Sequence, residues 1–223
     1  FVSKAIGIQL AKLGALVMSG VMLENLNLPD RSDNKSYFSV KEAVFPFSKF
    51  PEVDVLLGPE MKSTGEVMGF GKTFGEAYFK AQRAAGVILP KKGNVFISVR
   101  DHDKEPICEV ASELISMGFK VFATSGTYNH LRQNTIECSK INKVKDGHPH
   151  IVDMIKNNEV HLIINTTEGA RSIKDSFSIR KEAQNHKISL TTTVSGAKAF
   201  CKAIRFIDDF GAQDLKQRHD SIS

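Results

Sequence analysis

Three short polar stretches of this chain combine hydroxyls, small residues and cations in the way that an anion site does. They are Ala-Thr-Ser-Gly-Thr at 123–127, Asn-Lys-Val-Lys-Asp-Gly-His-Pro-His at 142–150 and Asn-Thr-Thr-Glu-Gly-Ala-Arg at 165–171. The first and third directly follow apolar runs, so we expect each to open at the end of a buried strand, where α/β folds bind ligands. With Lys143 and Arg171 they supply the donors that a phosphate needs. The sequence therefore predicts a site for a phosphorylated small molecule.

The stretch at 123–127 precedes a predicted helix. Gly126 allows the backbone to approach a ligand, and Thr124, Ser125 and Thr127 bring hydroxyls to the free N–H groups of the first helical turn. An ordinary N-cap turn uses the same residue types, so this stretch alone leaves both interpretations open.

The stretch at 165–171 adds a second set of donors at the same predicted sheet edge. Asn165, Thr166 and Thr167 are polar and small, and Arg171 can contact a phosphate through two N–H groups. An asparagine-rich turn is the alternative interpretation.

Two lysines and two histidines complete the polar set. We expect Lys104 and Lys143 near the same pocket, although lysines are mostly solvated. His148 and His150 flank Pro149. Because two histidines without a third ligand more often form hydrogen bonds, we predict no metal site there.

Carboxylates are scarce in these stretches, which bears on catalysis. No Asp or Glu lies within 123–127, and only Glu168, Asp146 and Asp153 are close in sequence to the others. A general base has to sit within hydrogen-bonding reach of the proton it removes. The scarcity favours binding without turnover, and we predict no catalytic residue.

Bulk composition excludes several classes of protein. The net charge of +5 would suit nucleic-acid binding, but the chain has no run of four Lys or Arg, no Trp and only three Tyr. No segment approaches the roughly 18 to 20 apolar residues of a membrane span. Cys108, Cys138 and Cys201 share no metal-ligand spacing with the histidines, which indicates a reducing cytoplasm. The chain begins with Phe1, so we expect a fragment.

The order of apolar runs predicts an α/β protein in two parts, 1–90 and 91–223. The first part contains a helix over 1–20 that ends at Gly20, a polar loop at 28–36, short strands around 37–47 and 63–71, and a helix over 74–85 capped by Thr73. The second part contains five strand–helix units, which predict a parallel sheet covered on both faces. The predicted strands are 94–99, 119–123, 136–141, 160–164 and 188–190, the helices are 103–117, 126–133, 149–157, 174–185 and 195–207, and the tail 208–223 is expected to fray.

Several collinear motifs resemble a known family. Residues 94–207 are similar to the methylglyoxal-synthase-like domain, while Leu-Leu-Gly-Pro-Glu-Met at 56–61 and Ser-Thr-Gly-Glu-Val-Met-Gly at 63–69 resemble the carbamoyl-phosphate synthase large chain. The similarity runs from Phe-Val-Ser-Lys-Ala at 1–5 to about residue 207. It implies that residues 1–90 are the incomplete end of the second ATP-grasp half, an α+β remnant, and that residues 91–223 are a Rossmann-like regulatory domain.

The resemblance also implies a ligase that uses ATP, Mg or Mn, and K to form carbamoyl phosphate for pyrimidine and arginine synthesis. In the family the metal-binding Glu and Asn lie upstream of the segment that matches Phe1, so this chain alone is expected to hold no cofactor and not to catalyse. The implied partners are a glutaminase small subunit and the remainder of the large chain, in an oligomer.

The family's regulatory domain binds UMP as an inhibitor and IMP as an activator. Carried over by motif and joined with the stretches above, the predicted effector-binding residues are Ser98, Lys104, Thr124, Ser125, Gly126, Thr127, Lys143, Asn165, Thr166, Thr167 and Arg171.

The family also has an ornithine pocket, and its positions match Glu42, Phe45, Leu57, Leu190 and Thr192. Leu190 stands where an aromatic residue is common, and the neighbouring Thr191 replaces an acid. The alternative function is a phosphate-eliminating lyase of the methylglyoxal-synthase type. The catalytic aspartates of those enzymes have no equivalents at the Thr166 strand end.

Overall fold

The structure, a computed structural model, describes residues 1–26, 28, 37–50, 53–209, 211–212 and 214–220. The predicted loop at 28–36 lies outside the described residues apart from Leu28. The N-terminal part holds α1 (Val2–Ile6), α2 (Leu10–Met18), β1 (Phe38–Val44), β2 (Gly65–Gly71) and α3 (Phe74–Ala84). The remainder holds β3 (Gly93–Ser98), α4 (Lys104–Ser116), β4 (Phe119–Ala123), α5 (Ser125–Gln133), β5 (Ser139–Lys140), α6 (Ile151–Lys156), β6 (Leu162–Asn165), α7 (Gly169–Asp175), α8 (Phe177–Asn185), β7 (Ser189–Thr191), α9 (Val194–Ile204) and α10 (Leu215–Asp220).

The five strands from β3 to β7 form one parallel sheet in the order β5-β4-β3-β6-β7. This confirms the predicted fold class. Central strand β3 pairs Val95 with Val121 of β4 on one side and with Leu162 of β6 on the other. Because every strand runs the same way, the chain leaves β3, β4 and β6 at the same edge of the sheet.

The sheet buries both of its faces, as the continuous apolar runs predict. Val95 and Ile97 point into a core formed with α4 and α9, whereas Phe96 and Ile163 point into a second core formed with α6 and α8. Alternate residues of a strand face opposite sides, so each core takes every second residue. Full burial of one such side chain contributes about 1.5–3 kcal/mol.

A small antiparallel sheet precedes the parallel one. Strand β1 pairs with β2, and α3 packs on both strands and on α9. The side chain of Thr73 caps α3 by accepting the backbone N–H of Glu76, as predicted. Gly75 permits the close approach of α3 to α9, because a Cβ there would lie 2.6 Å from the Lys202 carbonyl oxygen.

Apolar packing continues across the predicted boundary at residues 90 and 91. Phe79 and Leu89 belong to the same buried cluster as Val95 and Phe200. The division into two domains stays a prediction, since one core includes residues from both parts.

Two predicted helices are interrupted in the structure, and the helix expected over 195–207 ends three residues earlier, at Ile204. The helix expected over 1–20 is interrupted at Gly7, whose φ of 72° is a left-handed conformation that ends α1. None of the α2 side chains is buried within the described chain. The helix expected over 174–185 begins at Gly169 and is divided at Ser176, whose ψ of −2° departs from helical geometry.

An ion pair between a buried arginine and a half-buried aspartate joins the N-terminal part to α8. Arg180 is 1% exposed, and its Nε and Nη2 lie 2.8 Å and 2.5 Å from the two carboxylate oxygens of Asp54. Its Nη2 also donates to the Ile173 carbonyl at 2.9 Å. Burial raises the pKa of Asp54, but hydrogen bonds from Arg180 and from the Leu56 N–H outweigh it and hold the pKa below its ordinary value.

Replacing Asp54 with Ala should destabilise the chain strongly, because a buried guanidinium would lose its carboxylate. We expect a loss of about 3–5 kcal/mol in the free energy of unfolding, measured by urea titration. The control is Asp208→Ala, which removes the Lys91–Asp208 pair, whose side chains are 65% and 73% exposed. That change should cost less than about 1 kcal/mol. Equal losses in the two variants would contradict the assignment.

The Asp54 pair should also make stability depend on pH. A carboxyl group with a lowered folded-state pKa stabilises the fold fully above its unfolded pKa of about 3.9, and this contribution disappears as pH falls through the folded value. The difference in unfolding free energy between the unmodified chain and Asp54→Asn should therefore be largest at about pH 6 and shrink as the pH falls below about 4. A difference that is constant or grows on acidification would be inconsistent with this pairing.

Candidate functional site

The carboxyl edge of the parallel sheet brings the first and third polar stretches together at Ser98. The Ser98 Oγ lies 3.0 Å from the Thr124 Oγ1. The Ser98 carbonyl accepts the Thr166 N–H at 3.1 Å and the Asn165 side-chain N–H at 3.4 Å. Three neighbouring strand ends, those of β3, β4 and β6, are thereby joined as the sequence predicts.

Two buried threonines hold the backbone that follows β3. The Thr127 Oγ1 accepts the Val99 N–H at 3.2 Å, and the Thr166 Oγ1 accepts the Arg100 N–H at 3.1 Å. Both side chains are at most 5% exposed. These hydroxyls therefore position the backbone of residues 99 and 100, where the chain leaves β3 at the carboxyl edge of the sheet.

A cavity of about 320 Å³ opens beside the Ser98–Thr124 pair. Its volume lies within the range of small-molecule sites, about 300–1,000 Å³. It is lined by Ser98, Thr124, Lys143, Val144, Lys145, Glu168, Ser172, Asp175 and Ile179. The structure therefore places residues from all three stretches around a single space, among them Thr124, Lys143 and Glu168. We call this space the edge cavity.

Charges of both signs surround the edge cavity. Lys145 forms an ion pair with Asp175 across it. Beside it, the Lys104 Nζ lies 2.7 Å from the Asp101 Oδ1, and this hydrogen bond lowers the pKa of Asp101. Lys104 also lies close to Gly126, since a Cβ at Gly126 would be 3.3 Å from its Nζ. Lys104 and Lys145 are thus each paired with a carboxylate, and an anion of higher charge could replace that carboxylate.

Several predicted residues do not line the edge cavity. Asn165 and Thr166 are buried next to Ser98, whose carbonyl accepts an N–H from each, and Lys104 lies close to Gly126. Ser125, the first residue of α5, and Thr167, in the loop after β6, are both half-buried. Arg171 belongs to α7, but its side chain lies outside what the structure describes. Asn165 is 1% exposed, and its Oδ1 has no hydrogen-bond partner among the described residues.

Carboxylates are more numerous here than the sequence predicts. Glu168 and Asp175 line the edge cavity, so the interpretation of a site poor in carboxylates is wrong. Asp103 is buried beside it and accepts hydrogen bonds from the Arg100 Nε at 2.8 Å and from the Thr166 hydroxyl. Burial raises the pKa of Asp103, but these two bonds outweigh it and lower the pKa overall. Asp103 is therefore an ionised group whose oxygens already have partners.

Sequence reasoning missed one wall of the edge cavity. Ser172 and Asp175 come from α7, where a spacing of three residues places them on one side of the helix, and Ile179 comes from α8. This spacing is visible in the sequence, but no feature of the neighbouring sequence indicates that this side of the helix faces the cavity.

A second and larger cavity of about 770 Å³ lies between the small antiparallel sheet and the parallel one. All five residues matched to the ornithine pocket line it: Glu42, Phe45, Leu57, Leu190 and Thr192. Burial raises the pKa of Glu42, against a hydrogen bond from Gln82 that lowers it. Binding of ornithine in this space stays a prediction.

Comparisons with known proteins agree with this architecture. Residues 106–192, from within α4 to just after β7, match the model of the MGS-like domain. The carbamoyl phosphate synthase large chain of Pseudomonas syringae pv. tomato is 52% identical over 222 residues, which span this whole chain and 21% of that protein. The chain is homologous to the carbamoyl phosphate synthase large chain. The large chains of Pseudomonas aeruginosa, 51% identical with 21% covered, and Xanthomonas axonopodis pv. citri, 48% identical with 20% covered, match it along its full length as well.

The chain spans about one fifth of the length of the carbamoyl phosphate synthase large chains that it matches. Among solved structures, the crystal structure of ForH aligns with a TM-score of 0.37 at 16% identity, covering 58% of this chain and 88% of that one. That similarity is too low to support an argument about function. Within the described residues, no helix is both long and apolar enough to cross a membrane.

Proposed function

We propose that this chain is the regulatory portion of a carbamoyl phosphate synthase large chain, and that its edge cavity binds a nucleoside monophosphate, UMP or IMP, as an allosteric effector. The observation that carries the proposal is the meeting of the Ser98–Thr124 hydroxyl pair with Lys143 around one cavity at the carboxyl edge of the sheet. The homologous large chains supply the enzyme class, a ligase.

The phosphate group is assigned to the end of the cavity near α5. Thr124 is the N-cap residue of this nine-residue helix, yet its side chain makes no capping bond and instead meets Ser98. The first-turn N–H groups have no partner within the helix and lie at its positive end, where an anion is stabilised. Lys143 adds a full charge, and Lys104 stands close to Gly126.

The nucleoside is assigned to the opposite wall. Glu168 and Asp175 are acceptors that ribose hydroxyls can donate to, whereas they would repel a second phosphate. Val144 and Ile179 add apolar surface of the kind that a base contacts. A lining with cations, carboxylates and apolar groups therefore fits a nucleoside monophosphate better than inorganic phosphate.

We assign the ligase reaction itself to other parts of the large chain. The chain makes up about one fifth of the length of its relatives, and two of the carboxylates at and beside the edge cavity already have partners. Asp175 pairs with Lys145, and Asp103 with Arg100 and Thr166. Effector binding would act on this edge and on the α7–α8 wall, which also carries Arg180 and its contact to Asp54.

Isothermal titration of the folded chain with UMP and with IMP tests the proposal. We expect one nucleotide bound per chain, and we expect Lys143→Ala to weaken binding by about 1–3 kcal/mol because it removes a charged hydrogen-bond donor. The control is Lys120→Ala. Lys120 is an exposed lysine near the start of β4, at the opposite edge of the sheet, and its removal should leave the affinity unchanged.

Two outcomes would contradict the proposal. The first is the absence of heat with either nucleotide on protein whose circular dichroism shows a folded chain. The second is phosphate release from dihydroxyacetone phosphate, the result expected of a methylglyoxal-synthase-type lyase. An equal loss of affinity in the two lysine variants would remove Lys143 from the site.

A further inference from the structure

Three side chains of metal-ligand type cluster at the start of α6, beyond the edge cavity. His148, His150 and Asp153 each offer one ligand atom, and these atoms lie within 4.8 Å of one another. The sequence predicts no metal site because it shows two histidines without a third ligand. The fold supplies that ligand, since the turn into α6 brings the Asp153 carboxylate against both rings.

We propose that His148, His150 and Asp153 form a binding site for a divalent cation of the zinc type. Two imidazole nitrogens and a carboxylate oxygen are a donor set that zinc accepts, with water completing four ligands. Imidazole suits zinc and its transition-metal neighbours, whereas calcium and magnesium prefer oxygen ligands. The chemistry of the cluster therefore selects the class of ion.

The two distances from the Asp153 carboxylate to the histidine rings are close to those that a zinc ion needs. The Asp153 Oδ2 lies 2.7 Å from the His148 Nδ1 and 3.1 Å from the His150 Nδ1. Ligand atoms at bond lengths of about 2.0–2.1 Å around a tetrahedral ion are roughly 3.3 Å apart. The carboxylate oxygen therefore has to move away from each ring nitrogen by only a few tenths of an ångström. The two rings are neighbours as well, with centroids 4.3 Å apart.

The hydrogen bonds show which groups are ready to bind. The His150 Nδ1 accepts the Asp153 N–H at 3.3 Å, so this nitrogen carries the lone pair that a metal ligand requires. That bond is longer than the usual 2.7–3.2 Å, and exchanging it for a metal bond loses little. The His148 Nδ1 hydrogen-bonds to the ionised carboxylate of Asp153. A cation would take the place of the proton on the His148 Nδ1, and the neutral ring would then carry its N–H at Nε2.

The cluster is held firmly on one side and open on the other. His150 is buried and N-caps α6, and its backbone pairs with Asn142, which anchors it to the sheet edge. The His148 side chain is 76% exposed and that of Asp153 31%, so an ion can enter from solvent and keep water ligands. A fixed ligand and an accessible face are what a binding site requires, whereas the capping role of His150 and Asp153 alone leaves His148 unexplained.

Titration of the chelator-treated chain with zinc chloride, followed calorimetrically, tests the site. We expect one zinc ion per chain and an affinity lower by about tenfold or more in His148→Ala. His148 is exposed, so this variant should fold normally. The matched control is His186→Ala, since His186 also lies near a carboxylate, Glu182 at 3.7 Å, but is not part of the cluster. Its removal should leave zinc affinity unchanged.

A second measurement separates this site from non-specific binding. Cobalt chloride should produce visible absorption bands of a nitrogen- and oxygen-ligated ion. Those bands should weaken in Asp153→Asn, which keeps an acceptor for the His150 N–H but loses the charge. Absence of a zinc site in the unmodified chain would overturn the proposal. So would unchanged zinc affinity in His148→Ala, or equal losses in His148→Ala and His186→Ala. None of these results depends on whether the edge cavity binds a nucleotide.

Discussion

The parallel pairing of β3 with β4 and β6 is the constraint on which the rest of this structure depends. Parallel strands place all of their carboxyl ends at one edge, so the polar stretches that follow β4 and β6 have to meet beside Ser98. The pairing also requires cover on both faces, which the helices provide through two separate apolar cores. The carboxyl edge is where the backbone leaves the sheet, and its polar side chains include Ser98, Thr124, Asn165 and Thr166.

Some residues at this edge stabilise the fold, and others line the cavity. Thr127 and Thr166 are buried and hold the backbone of Val99 and Arg100, whereas Ser98 and Thr124 face the cavity. A similar division applies to the charges. The Asp103 carboxylate already accepts hydrogen bonds from Arg100 and Thr166. The Lys145–Asp175 ion pair is exposed, and breaking it costs little free energy. The arrangement can respond to an anion without disturbing the core beneath it.

The connection between the two parts of the chain is polar as well as apolar. Arg180 is buried on α8 and reaches both the Asp54 carboxylate and the carbonyl of Ile173 on α7. The same helices form the missed wall of the edge cavity through Asp175 and Ile179, and Arg180 lines the larger cavity. One short segment therefore contacts both cavities and the N-terminal part, which gives a physical route by which a ligand at one place could affect another.

The sequence by itself determined the strands, the helices that cover them and the loops at the binding edge, because apolar periodicity, caps such as Thr73 and polar strand ends are local signals. It also identified Ser98, Thr124 and Lys143, which line the edge cavity. Only the tertiary structure decided that Asp175 and Ile179 complete that cavity, that Asp103 lies beneath it and that Asp153 joins the two histidines. These outcomes depend on how helices are rotated and packed against the sheet, and that orientation comes from contacts between residues far apart in the chain.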